Sequence, residues 1–393
     1  MTQQHPLSRR DFVSATALGA FGLLNVRRLM PEADTRVLYV GAYTTADRYA
    51  GIYTLRFDSM TGALQQMGTL DAGPNPSFLT LHPDGRTLYA VNEAAAAAGS
   101  ATGAIFSFRI ATDSGGLTPL NDQMSEGTAP VYVSTDRKGR MLFVANYASG
   151  TVAVLPIDDT GALGVATQVV QHTGKGPVAD RQAGPHAHCV VPHPSNRIVL
   201  AADLGADSVI VYRLDEAARR LVHVEQADAV MSGTGPRHLV FHPRLPLVFV
   251  VGELSSTITA LHCNPTTGAL TLAQSLSTLP ARTAGANAPA DVHIAPDGRS
   301  LYVSNRGHNS IAVYSVASDK GTLALQQVVP TGGDWPRNFT IDPSGRWLLA
   351  ANQRSGSVVV FARDAGGRLT PTSQRIDVPG PACLRFQGSS SWT

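Results

Sequence analysis

One pattern recurs along the whole chain and restricts its fold more than any other feature. An apolar strand ends in a small or amide residue: Leu38-Tyr39-Val40-Gly41-Ala42, Leu88-Tyr89-Ala90-Val91-Asn92, Leu142-Phe143-Val144-Ala145-Asn146 and Val199-Leu200-Ala201-Ala202-Asp203. Val248-Phe249-Val250-Val251-Gly252, Leu301-Tyr302-Val303-Ser304-Asn305 and Leu348-Leu349-Ala350-Ala351-Asn352 complete the series. The seven terminal residues are spaced 50, 54, 57, 49, 53 and 47 apart. Repeats of this length signal units that cannot bury their apolar faces alone and must stack.

Each copy continues into a second strand, as in Thr151-Val152-Ala153-Val154 or Ser357-Val358-Val359-Val360. A turn such as Thr61-Gly62-Ala63-Leu64 or Thr160-Gly161-Ala162-Leu163 follows, then a polar strand. Glycine there supplies the positive φ of a hairpin. Six copies are preceded by a strand opening at proline: Pro76, Pro130, Pro185, Pro236, Pro289 and Pro336. Four short strands per repeat, seven times over, predict an all-β, seven-bladed β-propeller of four-stranded blades. The first repeat lacks its proline-opened strand, and Pro381-Ala382-Cys383-Leu384-Arg385-Phe386 has no repeat after it. Pairing these two ends closes the ring and removes open sheet edges. Two stacked β-sandwiches, the competing fold, would leave the permuted ends unexplained.

Residues 36–393 are therefore assigned to the propeller and residues 1–35 to a leader. Ser8-Arg9-Arg10-Asp11-Phe12 precedes an apolar run from Val13 to Leu24, which resembles a twin-arginine export signal. The run is too short to span a bilayer, so no stable membrane span is expected beyond an uncleaved leader. Export or a periplasmic location follows, or a cytoplasmic one if the leader does not function. The formal charge of +2 and the absence of a basic stripe argue against nucleic acid as a partner. Cys189, Cys263 and Cys383 sit in apolar strand contexts in three different repeats and read as buried free thiols.

In a propeller the inner strands line a channel, and loops at one mouth carry ligand contacts. The positions after the amide-like residues converge there: Tyr43, Glu93, Tyr147, Leu204, Glu253, Arg306 and Gln353. So do the starts of the inner strands, with Asn75, His186, His188, Arg237, Asp291, His293 and Arg337. Charged and aromatic residues recurring at such positions are unusual for a core, which favours Val and Leu.

The segments Tyr89-Ala90-Val91-Asn92-Glu93, Asn146-Tyr147-Ala148-Ser149-Gly150, Gly184-Pro185-His186-Ala187-His188, Gly235-Pro236-Arg237-His238 and Asn305-Arg306-Gly307-His308-Asn309 resemble the seven-bladed propeller lactonases. That family includes propeller-type bacterial 6-phosphogluconolactonases and fungal carboxymuconate cycloisomerases. The resemblance spans residues 36–386. It implies a small-molecule lactone as substrate and a catalytic His, Arg, Glu, Arg quartet, which falls on His188 (or His186), Arg237, Glu253 and Arg306. The Arg237 to Glu253 interval of 16 residues keeps the family's register. A carboxylate in a partly desolvated channel has its pKa raised, so Glu253 is expected as general base. The arginines suit a developing oxyanion or an anionic group, and His188 a leaving oxygen or a water. His186, Tyr147, Asn146, Glu93 and Arg337 are candidates for substrate binding; a hydrogen bond in the blade core is the alternative for Asn146 and Tyr147.

No cofactor is expected. His186 and His188, two residues apart on one strand, could share a metal, but no acidic cluster stands beside them and none is assigned. A buried Arg–Glu network tying the blades together is the structural alternative to catalysis. A muconate-type cycloisomerase and a non-catalytic binding propeller of the cell envelope are the competing functions. The export signal departs from a cytoplasmic pentose-phosphate role and puts a phosphorylated substrate in doubt.

Overall fold

The computed structural model describes residues 35–388, apart from 45–49, 94–102, 228–229 and 319. The leader reading therefore falls outside the described residues, apart from Thr35. The chain forms seven antiparallel sheets of four strands each. Within every sheet the strands follow one another from the channel outward, in the order proline-opened strand, amide-ending strand, third strand and polar outer strand. The inner strands pack each against the next around a closed ring. Blade 1 joins the chain ends: Thr35–Ala42 pairs with Pro381–Phe386, Leu38 opposite Phe386 and Val40 opposite Leu384. Seven separate sheets in a ring replace the stacked-sandwich alternative.

Burial follows strand position. The second strands Met141–Asn146, Ile198–Asp203 and Leu247–Gly252 are buried throughout, as strands covered on both faces must be. The outer strand Leu64–Asp71 keeps one face in water. Two recurrent side chains stitch neighbouring blades. Tyr39, Tyr89 and Tyr302 donate their hydroxyls to the carbonyls of Gly115, Gly161 and Gly367, at 2.8, 2.9 and 2.7 Å. Each acceptor is the hairpin glycine of the next blade, so the Leu-Tyr and hairpin-glycine signals are two halves of one contact. A Cβ on Gly161 (φ 85°) would lie 2.2 Å from Thr87 Oγ1.

The amide-ending residues make the second tie. Asn146 Nδ2 donates to Ser125 O (2.9 Å) and Thr151 Oγ1 (3.1 Å), and Asn305 Nδ2 to Thr278 O (3.0 Å) and Ser310 Oγ (3.3 Å). The acceptors Ser125 and Thr278 follow the outer strand of the preceding blade, so each amide pins the chain's entry into its own blade. Both asparagines are fully buried.

The inner strands are not regular. Just after the proline, pairing slips in six blades: Pro130/Tyr132, Ala187/Cys189, Pro236/Leu239, Pro289/Val292, Pro336/Asn338 and Pro381/Cys383. Each slip is a β-bulge, which places an extra residue on the bulged strand and re-aims its side chain. His188, Arg237 and Arg337 are bulge residues.

Candidate active site at the channel mouth

One backbone bond repeats at the mouth and sets the height of the site. The residue after the amide position donates its N–H to the carbonyl just before, or just after, the inner-strand proline. Tyr43 bonds Gly380 (2.8 Å), Glu93 bonds Asn75 (3.0 Å), Tyr147 bonds Ala129 (2.9 Å) and Leu204 bonds His186 (3.0 Å). Glu253 bonds Gly235 (2.9 Å) and Gln353 bonds Trp335 (3.0 Å). The predicted set thus comes to one level from separate blades. Leu204 supplies an apolar side chain there.

Glu253 is the hub. Its Oε2 lies 2.9 Å from Arg237 Nε and 2.7 Å from Arg306 Nη2. Its Oε1 accepts from Arg181 Nη2 at 2.7 Å. Arg237 and Arg306 are buried and fixed by carbonyls, Ala290 O for Arg237 and Ala288 O for Arg306 (2.9 Å). Burial alone would raise the Glu253 carboxyl, but Arg306, Arg237 and Arg181 outweigh it and hold it down to about 2. The expected upward shift is therefore corrected, because three cations outweigh the loss of water. Burial, together with Arg306 and Arg337, pushes Arg237 down to about 9 while Glu253 opposes the shift, which leaves it a cation at neutral pH.

His188 is buried, and its Nδ1 has no hydrogen-bond partner. Burial, then Arg237, His238 and Arg337, hold it well below the ordinary imidazole value, so it is neutral. Its ring meets Tyr147 edge-on at 5.5 Å and His238 at 5.3 Å. The bulge between Ala187 and Cys189 parts it from His186, whose Nδ1 is engaged by Tyr147 O (2.9 Å) and whose ring stacks on Tyr147 at 4.5 Å. Both rings therefore pack against Tyr147, His186 face-on and His188 edge-on, although a bulge interrupts the strand between them. Among the described residues no group of three His, Cys, Asp or Glu side chains is placed to hold a metal.

A second acid, Glu93, accepts from Tyr43 OH (2.6 Å) and from Ser77 Oγ. Arg337 lies over the Tyr43 ring at 5.1 Å. Burial alone would lower Arg337, but Tyr43, Glu93 and Glu253 raise it. Asn146 is fully buried and its Nδ2 makes the blade-core tie, while its Oδ1 has no partner.

Three participants were not foreseen. Arg181 stands in the irregular segment before Pro185, and that extra chain is why the Asn146–Asp203 interval, at 57, is the longest of the series. His238 accepts from Arg237 at Nε2 (3.2 Å) and donates from Nδ1 to Asp291 Oδ1 (2.8 Å), which fixes its tautomer. Trp335, at φ 66°, holds its indole between Arg306 (5.4 Å) and Arg354 (3.4 Å). A non-glycine residue at positive φ is costly, and such strain gathers at functional sites.

Comparison with known proteins agrees with this architecture. Residues 37–386 match the family described as Lactonase, 7-bladed beta-propeller. The chain is 36% identical over 349 residues to a 6-phosphogluconolactonase of Bacillus subtilis, covering 88% of this chain and 97% of that one. It is 33% identical over 354 residues to a 6-phosphogluconolactonase of Formosa agariphila, covering 89% and 99%. Among solved structures it is similar to the periplasmic gluconolactonase of Pseudomonas aeruginosa, with a TM-score of 0.83 and 35% identity over 90% of this chain and 99% of that chain. With a ring closed by its own two ends and a matched span that runs nearly from one to the other, this chain belongs to the seven-bladed β-propeller lactonase family.

Proposed function

We propose that this protein is a lactonase that hydrolyses a sugar-derived lactone at the channel mouth. The observation that carries the reading is a buried carboxylate, Glu253, gripped by Arg237 and Arg306, with the neutral imidazole of His188, its Nδ1 without a partner, in the field of the same Arg237. The names of the relatives support it. In this reading a water gives its proton to Glu253 as its oxygen bonds to the lactone carbonyl carbon. The charge that develops on the carbonyl oxygen falls against Arg237 and Arg306, where preorganised cations lower the barrier most. The ring C–O bond then breaks. The proton held by Glu253 returns to the departing ring oxygen, with His188 as relay, since a neutral imidazole has one N–H and one lone pair. The product is the open hydroxy acid.

Four guanidinium groups, Arg181, Arg237, Arg306 and Arg337, surround two carboxylates, Glu253 and Glu93. That cationic excess favours a lactone with an anionic substituent. Tyr147, His186, Glu93 and Arg337 are assigned to substrate binding. Hydrolysis of gluconolactone and of its 6-phosphate by the purified protein tests the reading. Rates no greater than in buffer for both would overturn it, and product analysis with a dicarboxylic diene would reveal a cycloisomerase instead.

Export is proposed on the twin arginine Arg9-Arg10 and the apolar run behind it. The periplasmic assignment of the Pseudomonas aeruginosa relative supports it. Replacing both arginines with lysine should shift the protein from the periplasmic to the cytoplasmic fraction, and an unchanged distribution would count against export.

A further inference from the structure

The two oxygens of Glu253 are held in different ways. Oε2 sits between Arg237 and Arg306, whose side chains are 1% and 7% exposed. Oε1 is held by Arg181, whose side chain is 41% exposed. Arg237 and Arg306 are anchored by backbone carbonyls and cannot leave without stranding a buried charge. Apart from Glu253, the hydrogen-bond contact of the Arg181 side chain is Tyr147 OH, a long 3.5 Å away. Of the three arginines, it alone can exchange partners cheaply.

The backbone that carries Arg181 is firmly built. Gln182 is fully buried, donates from Nε2 to Leu204 O (2.8 Å) and accepts from Val178 N at Oε1 (3.1 Å). Gly176 N bonds Gln182 O (3.1 Å), and a Cβ on Gly176 would fall 2.3 Å from the Gln182 side chain. Any motion of Arg181 is therefore a swing of its side chain over a fixed loop.

In this arrangement Oε1, the oxygen a base must present to water, is already taken. We propose, resting on the lactonase reading, that Arg181 is an anion-operated latch on Glu253. In the empty site it occupies the oxygen the base needs. A phosphate or carboxylate group on the substrate draws the guanidinium away, so the carboxylate is freed only when an anionic lactone is seated. Arginine suits this exchange because its planar fork grips phosphate or carboxylate with two parallel bonds, against the single bond it makes to Glu253.

The charged and titratable groups facing Glu253 come from every element around it. They are Arg237 on its own blade, Arg306 and Arg337 on the next two, and Arg181 on the loop before blade 4; His188 on the preceding blade and Tyr147 on the one before it act on this cluster through Arg237 and Arg181. Removing Arg181 takes away one of the three cations that hold the carboxyl down and lets burial raise it. The latch thus sets both substrate preference and basicity. Arg181 is a specificity-determining residue, and the class it selects is the lactone with a phosphate or carboxylate substituent.

Steady-state rates for gluconolactone and its 6-phosphate should be measured across pH for wild type, Arg181→Gln and Arg181→Lys. In Arg181→Gln, kcat/KM for the phosphorylated lactone should fall about tenfold or more, the scale of one charge-assisted hydrogen bond. Hydrolysis of the neutral lactone should hold or rise, and the acid limb of its pH profile should move upward. Inorganic phosphate should accelerate neutral-lactone hydrolysis by wild type saturably and leave Arg181→Gln unchanged. Arg181→Lys should restore part of the phosphate preference. Equal losses on both lactones, with an unmoved acid limb and no effect of phosphate, would overturn the latch while leaving lactonase activity standing. A wild type inert towards both would remove the lactonase reading first, and the latch with it.

Discussion

Glu253 shows how little a carboxylate's burial says about its proton affinity until its neighbours are counted. Water is excluded from it, yet three guanidiniums hold it ionised. Replacing it with glutamine removes the proton acceptor and strands Arg237. Glu253→Gln should lower kcat at least about a hundredfold, the scale of a positioned general base, and a variant as active as wild type would refute the role. His238 leads to a different expectation. Burial, then Arg237, holds it down to about 3 against 6.5 in the unfolded chain, although Asp291 pulls the other way. Between those values the unfolded chain binds a proton that the folded chain refuses. Stability from this group is complete above pH 6.5 and is lost as the pH falls towards 3; His188 shifts in the same direction. Glu253 adds a second loss between pH 4.5 and about 2. Melting temperature should therefore decline already between pH 6.5 and 4.5, before Glu253 titrates, and His238→Gln should flatten that part of the curve. A flat wild-type profile there would contradict the assignment.

At the scale of the strand, a repeated plan is modified where function needs it. The asparagine that ends each second strand of blades 3, 6 and 7 makes the same structural tie. Asn146→Ala should cost about 1–3 kcal/mol, because the Ser125 carbonyl loses its side-chain donor inside the fold. KM for the lactone should stay as in wild type, and a rise in KM with stability intact would return Asn146 to the substrate site. The bulges beside the inner prolines do the opposite work: they break the alternation so that His188, Arg237 and Arg337 face the site. Several residues just before those prolines take a left-handed conformation, among them Ala129 at φ 55° and Trp335 at φ 66°. Glycine at 129 would relieve that strain, at the expense of a more flexible unfolded chain. Ala129→Gly should therefore stabilise by up to about 1 kcal/mol in chemical denaturation, and a clear loss would show that the Ala129 methyl is needed for packing.

For the whole molecule, closure is the decisive event. The strand Pro381–Phe386 lies some 340 residues from its partner Thr35–Ala42 and completes blade 1, and its inner face packs beside blades 2 and 7. Removing residues 381–393 should abolish cooperative unfolding and promote aggregation through the bared edge. A monomeric truncation with a sharp transition would show that six and three-quarter blades suffice. Removing residues 1–33 should leave the melting temperature of the propeller unchanged, because all seven blades are built from residue 35 onward.

The architecture was legible because it is written locally and seven times. Apolar strands, proline starts, hairpin glycines and amide ends each act over a few residues, and their repetition leaves a closed ring as the way to bury every sheet. The level of the mouth residues was legible for the same reason, since one backbone bond repeats in blade after blade. What the linear chain does not carry is the charge state of the site and its full membership. Bulges break the simple alternation at His188, Arg237 and Arg337, which a linear reading does not foresee. Arg181 comes from an irregular loop with no repeat to reveal it, and the proton affinity of Glu253 depends on three cations drawn from three separate segments. Electrostatic energy depends on distance in space, and only the folded ring sets those distances.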